Sequence, residues 1–295
     1  MMNGDIDSGK RSFELRSLGA TGFDTVYKAF SLAFQDYEIR LNRSQLMAML
    51  HRRGFDPGLS FAAFDGDDIT AFTLNGIGTF NGIPTAYDTG TGTLKEFRGQ
   101  GLATKIFEYS IPFLKEKGVE QYLLEVLQHN TGAVSVYKNL GFEVTREFNY
   151  FIKNMNEIRD EILIQDIPFS IRQTGLDELE DASEFWDFHP SWQNGFESIN
   201  RSAGEFVCLG AFHEHRLAGY CIFEPLTGDV TQIAVSRPYR RKGIGSFLLR
   251  EMIGRNRSEV LKIINTEISC ESITRFLASR NIEPTGRQFE MIRKL

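Results

Sequence analysis

The chain is 295 residues long, enough for two domains of ordinary size. Hydrophobic residues make up 41% and charged residues 24%, a globular composition, and no run approaches the ~18 apolar residues of a membrane span. A net charge of −6 argues against a nucleic-acid binder, and Cys208, Cys221 and Cys270 form neither a CxxC pair nor a metal-ligand spacing. The polar start, MMNGDIDSGK, lacks the apolar segment of a secretory signal, so a cytoplasmic protein with reduced thiols is expected.

In chain order, Phe13–Leu18 reads as a strand, and residues 23–34 and 43–53 read as helices. LSFAAFDGDDITAFTLNG alternates on either side of a turn cluster and predicts a hairpin; IPTAYDTGTGTL is the next strand. FRGQGLATKIFE, residues 97–108, then opens a helix with Leu102, Ile106, Phe107 and Ser110 on one stripe. Pro112 predicts a kink or an early end. QYLLEVL reads as a strand, followed by a short helix and a last strand.

The order then repeats. Residues 155–168, charged and ending in Pro168, read as a partly helical linker between a first domain, 1–154, and a second, 169–295. Phe169–Thr174 is a strand, 176–188 and 195–203 read as helices, and FVCLGAFHEHRLAGYCIFE is a hairpin. DVTQIAV leads into YRRKGIGSFLLR, residues 239–250, and EVLKIINTEI, a short helix and a strand follow. His213 and His215 flank a turn and have no evident third ligand, so no metal is expected. The fold class is α+β: in each half, a mixed α/β sheet flanked by helices.

The two Gly loops lie 142 positions apart, Arg98 to Arg240, a period of one domain. A strand that turns through glycines into a helix aims backbone N–H groups and the positive helix end at one point, a seat for phosphate or pyrophosphate. Arg98, Lys105, Arg240, Arg241 and Lys242 add charge. No GxxxxGK[ST] and no GxGxxG after a first strand is present, which argues against P-loop and dinucleotide folds.

Arg98-Gly99-Gln100-Gly101-Leu102-Ala103 and Arg240-Arg241-Lys242-Gly243-Ile244-Gly245 resemble the [R/Q]xxGx[G/A] loop of the GCN5-related N-acetyltransferases (GNAT). NTGAVSVYKNLGF, with Asn130, Ala133, Tyr137 and Gly141-Phe142, resembles that superfamily's second signature. The chain is thus similar to a tandem pair of acyl-CoA N-acyltransferase (GNAT) domains, each a twisted mixed β-sheet flanked by helices. The resemblance implies acetyl-CoA held in a splay between the fourth and fifth strands, and transfer of its acetyl group to an amine. It places the cofactor on Leu94, Arg98, Gly99, Gln100, Gly101, Leu102, Ala103, Thr104, Asn130 and Ala133. In the second half it places it on Ile233, Val235, Arg240, Arg241, Lys242, Gly243, Ile244 and Gly245.

Acyl transfer to an amine needs a neutral nucleophile, oxyanion donors and a proton for the leaving thiolate. Tyr137 lies seven residues after Asn130, on about the same helical face, and is the candidate acid. Asn130 also suits an N-cap. Glu125, a charge within an apolar strand, is the candidate base if it points into the splay, and an edge carboxylate otherwise; Asp88 and Glu38 compete with it. Asp36, Tyr37, Glu38 and Asp88 are the candidates for holding the amine. In TAYDTGTGTL, Thr and Gly alternate where branched apolar residues are usual, which points to a bulge near the acetyl group or to simple divergence. Aligned on its last signature, the second half has Leu277 for Tyr137, Cys270 for Asn130 and Asn265 for Glu125. The first half is therefore expected to catalyse by direct attack in a ternary complex, and the second to be non-catalytic. The alternatives are catalysis in the second half and a CoA-binding module without turnover. The acceptor is a small-molecule or protein amine, and a homo-oligomer is left open.

Overall fold

A computed structural model describes residues 4–7, 12–36, 40–159 and 169–295. The chain divides into two compact units, residues 1–145 with 290–295, and residues 146–289.

In the first unit the elements are β1 (Gly4–Asp7), β2 (Ser12–Ser17), α1 (Phe23–Ala33), α2 (Arg43–Arg52), β3 (Phe61–Asp65), β4 (Asp68–Phe80) and β5 (Ile83–Thr93). Then come α3 (Leu102–Glu116), β6 (Gln121–Leu127), α4 (Thr131–Asn139) and the start of β7 (Glu143–Asn154). The sheet runs β1-β2-β3-β4-β5-β6 and is completed by the end of β13 (Gly286–Lys294). β2 to β5 pair antiparallel, and β5 and β6 are parallel. Phe13, Leu46, Phe61, Phe64, Phe72 and Ile106 sit in one core between this sheet and its helices.

The second unit repeats the plan with β8 (Phe169–Gln173), α5 (Phe196–Arg201), β9 (Val207–His213), β10 (Arg216–Glu224), β11 (Asp229–Val235), α6 (Ile244–Arg255), β12 (Val260–Glu267) and α7 (Glu271–Ala278). Its sheet runs β8-β9-β10-β11-β12-β7. β7 pairs antiparallel with β12, from Val260↔Asn154 to Glu267↔Phe148.

Boundaries at 154 and 169 follow chain order; the units do not. Residues 146–154 pair with β12 and belong to the second unit, while Glu290–Leu295 return to the first. There Leu295 N donates to Glu120 O at 2.9 Å, and Thr145 Oγ1 donates to Glu290 Oε1 at 2.8 Å. Of the expected linker, Met155–Glu157 forms a 3-10 turn, with Met155 N on Glu259 O; residues 160–168 lie outside the described residues.

Two helical expectations change. α3 runs unbroken through Pro112 to Glu116. Buried Leu102, Ile106, Phe107 and Ser110 precede the proline and buried Leu114 follows it, so packing along the whole helix outweighs the one lost hydrogen bond. Residues 177–185 form a 3-10 helix, and 195–203 contain only a six-residue α5.

Each unit opens its parallel strand pair from one end. β5 and β6 pair at Thr85↔Gln121, Ala86↔Tyr122 and Tyr87↔Leu123, and the pairing ends there. β11 and β12 pair at Asp229↔Lys262. Beside each opening the inner strand carries a bulge. The register slips between Leu74↔Gly90 and Asn75↔Asp88, leaving Thr89 extra. It slips again between Ile222↔Gln232 and Phe223↔Val230, leaving Thr231 extra, 142 positions on. The irregular Thr-Gly stretch of β5 does hold a bulge, but the regular second copy holds the same one.

Candidate active site

In the first unit β5 leaves the sheet at Leu94, makes a turn over Lys95–Phe97 and enters α3 through Arg98–Gly101. Gly99 and Gly101 have φ of 79° and 70°, and a Cβ at either would meet nothing within 4 Å. No side chain caps α3, and its first turn holds no acidic residue. The loop is therefore an open cradle of backbone N–H groups at a positive helix end. In the second unit Gly243 (φ 87°) caps α6 the same way, and Arg241 takes the left-handed conformation (φ 62°) of Gly99.

The loop arginines face the protein. Arg98 Nε donates to Thr93 O at 3.2 Å and Nη2 to Ala33 O at 3.0 Å. Arg240 Nε donates to Val235 O at 2.9 Å, Nη2 to Phe185 O at 3.1 Å and Nη1 to Asp187 Oδ1 at 2.8 Å. Both guanidinium groups brace the turn between strand and helix. The N–H of Leu94 is likewise engaged, on Thr70 O at 2.9 Å.

At the bulge, three polar side chains meet. Asp88, buried, accepts from Gly90 N on Oδ1 at 2.9 Å and from Thr91 Oγ1 on Oδ2 at 2.9 Å. Tyr137 Oη donates to Asp88 Oδ2 at 3.2 Å. The Tyr137 ring packs edge-on against Phe107 and Phe142. Burial raises the Asp88 carboxyl to about 6, while the bonds from Thr91, Tyr137 and Gly90 and the charge of Arg53 work the other way. Arg53, which no motif singles out, donates from Nη1 to Thr89 O at 3.1 Å. It is brought there by Gly76, where a Cβ would lie 2.0 Å from Arg53 O.

The raised carboxyl has a stability consequence. Unfolded, Asp88 ionises near 3.8; folded, near 6. Stability is therefore full below about pH 4 and falls as pH rises through 6, where the buried carboxylate is charged. Asp88→Asn is expected to unfold at higher denaturant than the parent at pH 7.5, by roughly 3 kcal/mol, with most of the difference gone at pH 4. Urea melts at the two pH values check this.

The other candidates are placed as follows. Asn130 caps α4, accepting from Ala133 N at 3.3 Å, which engages both residues' polar groups there. Glu125, half-buried on β6, hydrogen-bonds the buried Tyr87 phenol; burial and then the Glu125 charge push Tyr87 well above its usual range. Asp36 is an exposed partner of Lys95 at 3.7 Å. Tyr37 and Glu38 lie outside the described residues.

The second unit holds a cavity of about 1000 Å³ lined by Val235, Arg241, Gly243, Cys270, Arg275 and Phe276 among others. The buried segment Ser191–Asn194 bonds both β11 and β12 beside it, and Asn194 lines it. Gln232 Nε2 on β11 donates to Asn194 O at 2.6 Å, and Asn194 Nδ2 donates to Ile264 O on β12 at 2.9 Å. Asn265 Nδ2 donates to Ser191 Oγ at 2.9 Å. Cys270 stands at the N-cap position of α7 that Asn130 holds on α4 but makes no side-chain cap bond, and Asn281 (φ 62°) takes the left-handed turn of Gly141 (φ 82°). Leu277, 1% exposed, stands in the place of Tyr137. Among the described residues no three His, Cys, Asp or Glu side chains gather as a metal site.

A doubled sheet with a bulged, splayed strand pair and a glycine-turned helix defines an acyltransferase type of domain, present twice. The sequence matches the Acetyltransferase (GNAT) family over residues 23–142 and 172–269, and the chain belongs to that family. It is 30% identical over 105 residues to N-alpha-acetyltransferase 30 of Schizosaccharomyces pombe, covering 35% of this chain and 70% of that protein. It is 32% identical over 71 residues to N-alpha-acetyltransferase MAK3 of Arabidopsis thaliana, covering 24% of this chain and 37% of that protein. Among solved structures, a tandem GNAT protein from the clavulanic acid biosynthesis pathway superposes with a TM-score of 0.73 at 13% identity, covering 96% of this chain and 98% of that one. A GNAT from Sphaerobacter thermophilus gives 0.71 at 15% identity, with 96% and 95% covered. The chain is a tandem GNAT acetyltransferase.

Proposed function

We propose that the first unit transfers an acetyl group from acetyl-CoA to a primary amine, with Tyr137 as the general acid. The observation that carries this reading is the Tyr137–Asp88 contact at the Thr89 bulge, one strand-length from an open cradle of N–H groups. Acetyl-CoA supplies an activated thioester. Gly99, Gly101 and the first N–H groups of α3 would hold its pyrophosphate, and the open side of β5 would hold its pantetheine arm. Tyr137 gives the departing sulfur its proton, and the half-open splay admits the amine. No helix among the described residues is long and apolar enough to cross a membrane, which fits a dissolved acceptor. Since two relatives are named N-alpha-acetyltransferases, a peptide α-amine is the first acceptor to try, then small amines and lysine side chains.

The second unit is proposed to bind without transferring. Ser191–Asn194 ties its splayed strands together through bonds to β11 and β12, and apolar Leu277 cannot donate a proton. The test is free-thiol release from acetyl-CoA with an amine panel. Release that depends on added amine supports the reading; CoA affinity without release from any acceptor overturns it in favour of a binding module.

A further inference from the structure

We propose that Asp88 and Tyr137 form one proton relay: Asp88 takes the proton leaving the amine and restores the phenol that protonates the departing sulfur. The inference rests on the acetyl-transfer reading above and assigns its base.

The geometry is that of a coupled pair. Tyr137 Oη and Asp88 Oδ2 are 3.2 Å apart, and Gly90 N and Thr91 Oγ1 fix the carboxylate from its other sides at 2.9 Å each. Arg53, Tyr87, Tyr122 and Glu125 are the charged or titratable groups that act on the pair among the described residues. Arg53 holds the adjacent Thr89 carbonyl and weakly favours the ionised carboxyl. Burial and then the Asp88 charge push up the Tyr122 phenol; burial and then Glu125, with Asp88 a smaller contributor, push up that of Tyr87. The balance leaves Asp88 titrating near 6, a useful value for a base that must both accept and release a proton at neutral pH.

The second unit serves as an internal comparison. Its bulge, its left-handed loop residues and its N-cap residue all stand at matching positions. Yet Asp88, Thr91 and Tyr137 are replaced there by Val230, Ile233 and Leu277. Three side chains that bond one another in one unit are all apolar in the other. The set is present whole or absent whole, as expected of groups that act together.

The proton account closes. The nitrogen–carbon bond forms and the carbon–sulfur bond breaks. Asp88 carboxylate receives the proton lost by nitrogen, and Tyr137 gives its phenolic proton to sulfur. The carboxylic acid of Asp88 then returns its proton to the Tyr137 phenolate across their shared contact. Both side chains end as they began.

Two measurements on the full chain test this. With 13C-carboxyl-labelled aspartate and no cofactor, the Asp88 signal should titrate near 6 and move upward in Tyr137→Phe, which removes a bond that favours the charged form. In turnover, Asp88→Asn should lower kcat by about 10²-fold or more, with KM for acetyl-CoA within about twofold, and should flatten the acid limb of the pH profile. Asp88→Asn/Tyr137→Phe should be about as slow as the slower single variant, because the two groups work as a unit. Normal kcat and pH profile in Asp88→Asn, multiplying effects in the double variant, or a carboxyl midpoint indifferent to Tyr137→Phe would each overturn the relay alone. A parent chain without amine-dependent thiol release overturns it together with the reading it rests on.

Discussion

Tyr137→Phe is expected to lower kcat by ~10²–10⁴-fold, roughly 3–5 kcal/mol of activation free energy, and to leave KM for acetyl-CoA nearly unchanged. The substitution isolates one atom. The ring keeps its edge-on packing with Phe107 and Phe142, at 5.9 and 5.8 Å, while the hydrogen bond to Asp88 is lost. That bond contributes about 1 kcal/mol, too little to unfold the unit. A phenylalanine cannot hand a proton to a thiolate, so the leaving group departs as the bare anion. Steady-state thiol release checks this, alongside a thermal melt showing the variant folded. Unchanged kcat would remove Tyr137 from the chemistry.

The second large effect comes from far along the chain. Removing Glu290–Leu295 is expected to abolish acetyl transfer, although the deleted residues lie about 150 positions from Tyr137 in sequence. Met291 is fully buried and Glu290 is 1% exposed, and both belong to the first unit. Their loss removes one fully buried apolar side chain and the bonds to Thr145 and Glu120, together roughly 4 kcal/mol, a large share of a domain's stability. Hydrogen exchange should show residues 121–127 deprotected while 207–224 stay protected. Full activity and unchanged exchange would mean that the first unit stands without this strand. For the same reason a fragment ending at residue 154 is expected to fold poorly.

The hairpins, the two glycine loops and the helices behind them could be read directly, because alternation, turn chemistry and a 3.6 period are local signals. The exchange of strands could not. The pattern of β7 and β13 says that each is a half-buried strand, and nothing local says which sheet receives it. The 3-10 helix over 177–185 was legible in principle: Leu176, Leu179, Ala182 and Phe185 recur every third residue, the 3-10 spacing, and the last three are buried. At the site, Tyr137 was visible through its motif. Its partnership with Asp88 was not, since the two lie 49 positions apart and meet only through the β5–β6 crossover. The bracing by Arg98 and Arg240 was not legible either, because a cation beside a glycine loop gives no local sign that it also bonds the carbonyl five residues upstream. Arg53 carried no signal, because only the close approach permitted by Gly76 brings it to the bulge.

The central claim is that transfer takes place in the first unit. Amine-dependent thiol release measured on Gly101→Val and on Gly243→Val compares the two loops directly, since valine is strained at φ of 70° and of 87° alike. The account predicts that Gly101→Val is slower than Gly243→Val by about 10²-fold or more. The opposite order, with Gly243→Val the slower, would move the chemistry to the second unit and contradict it.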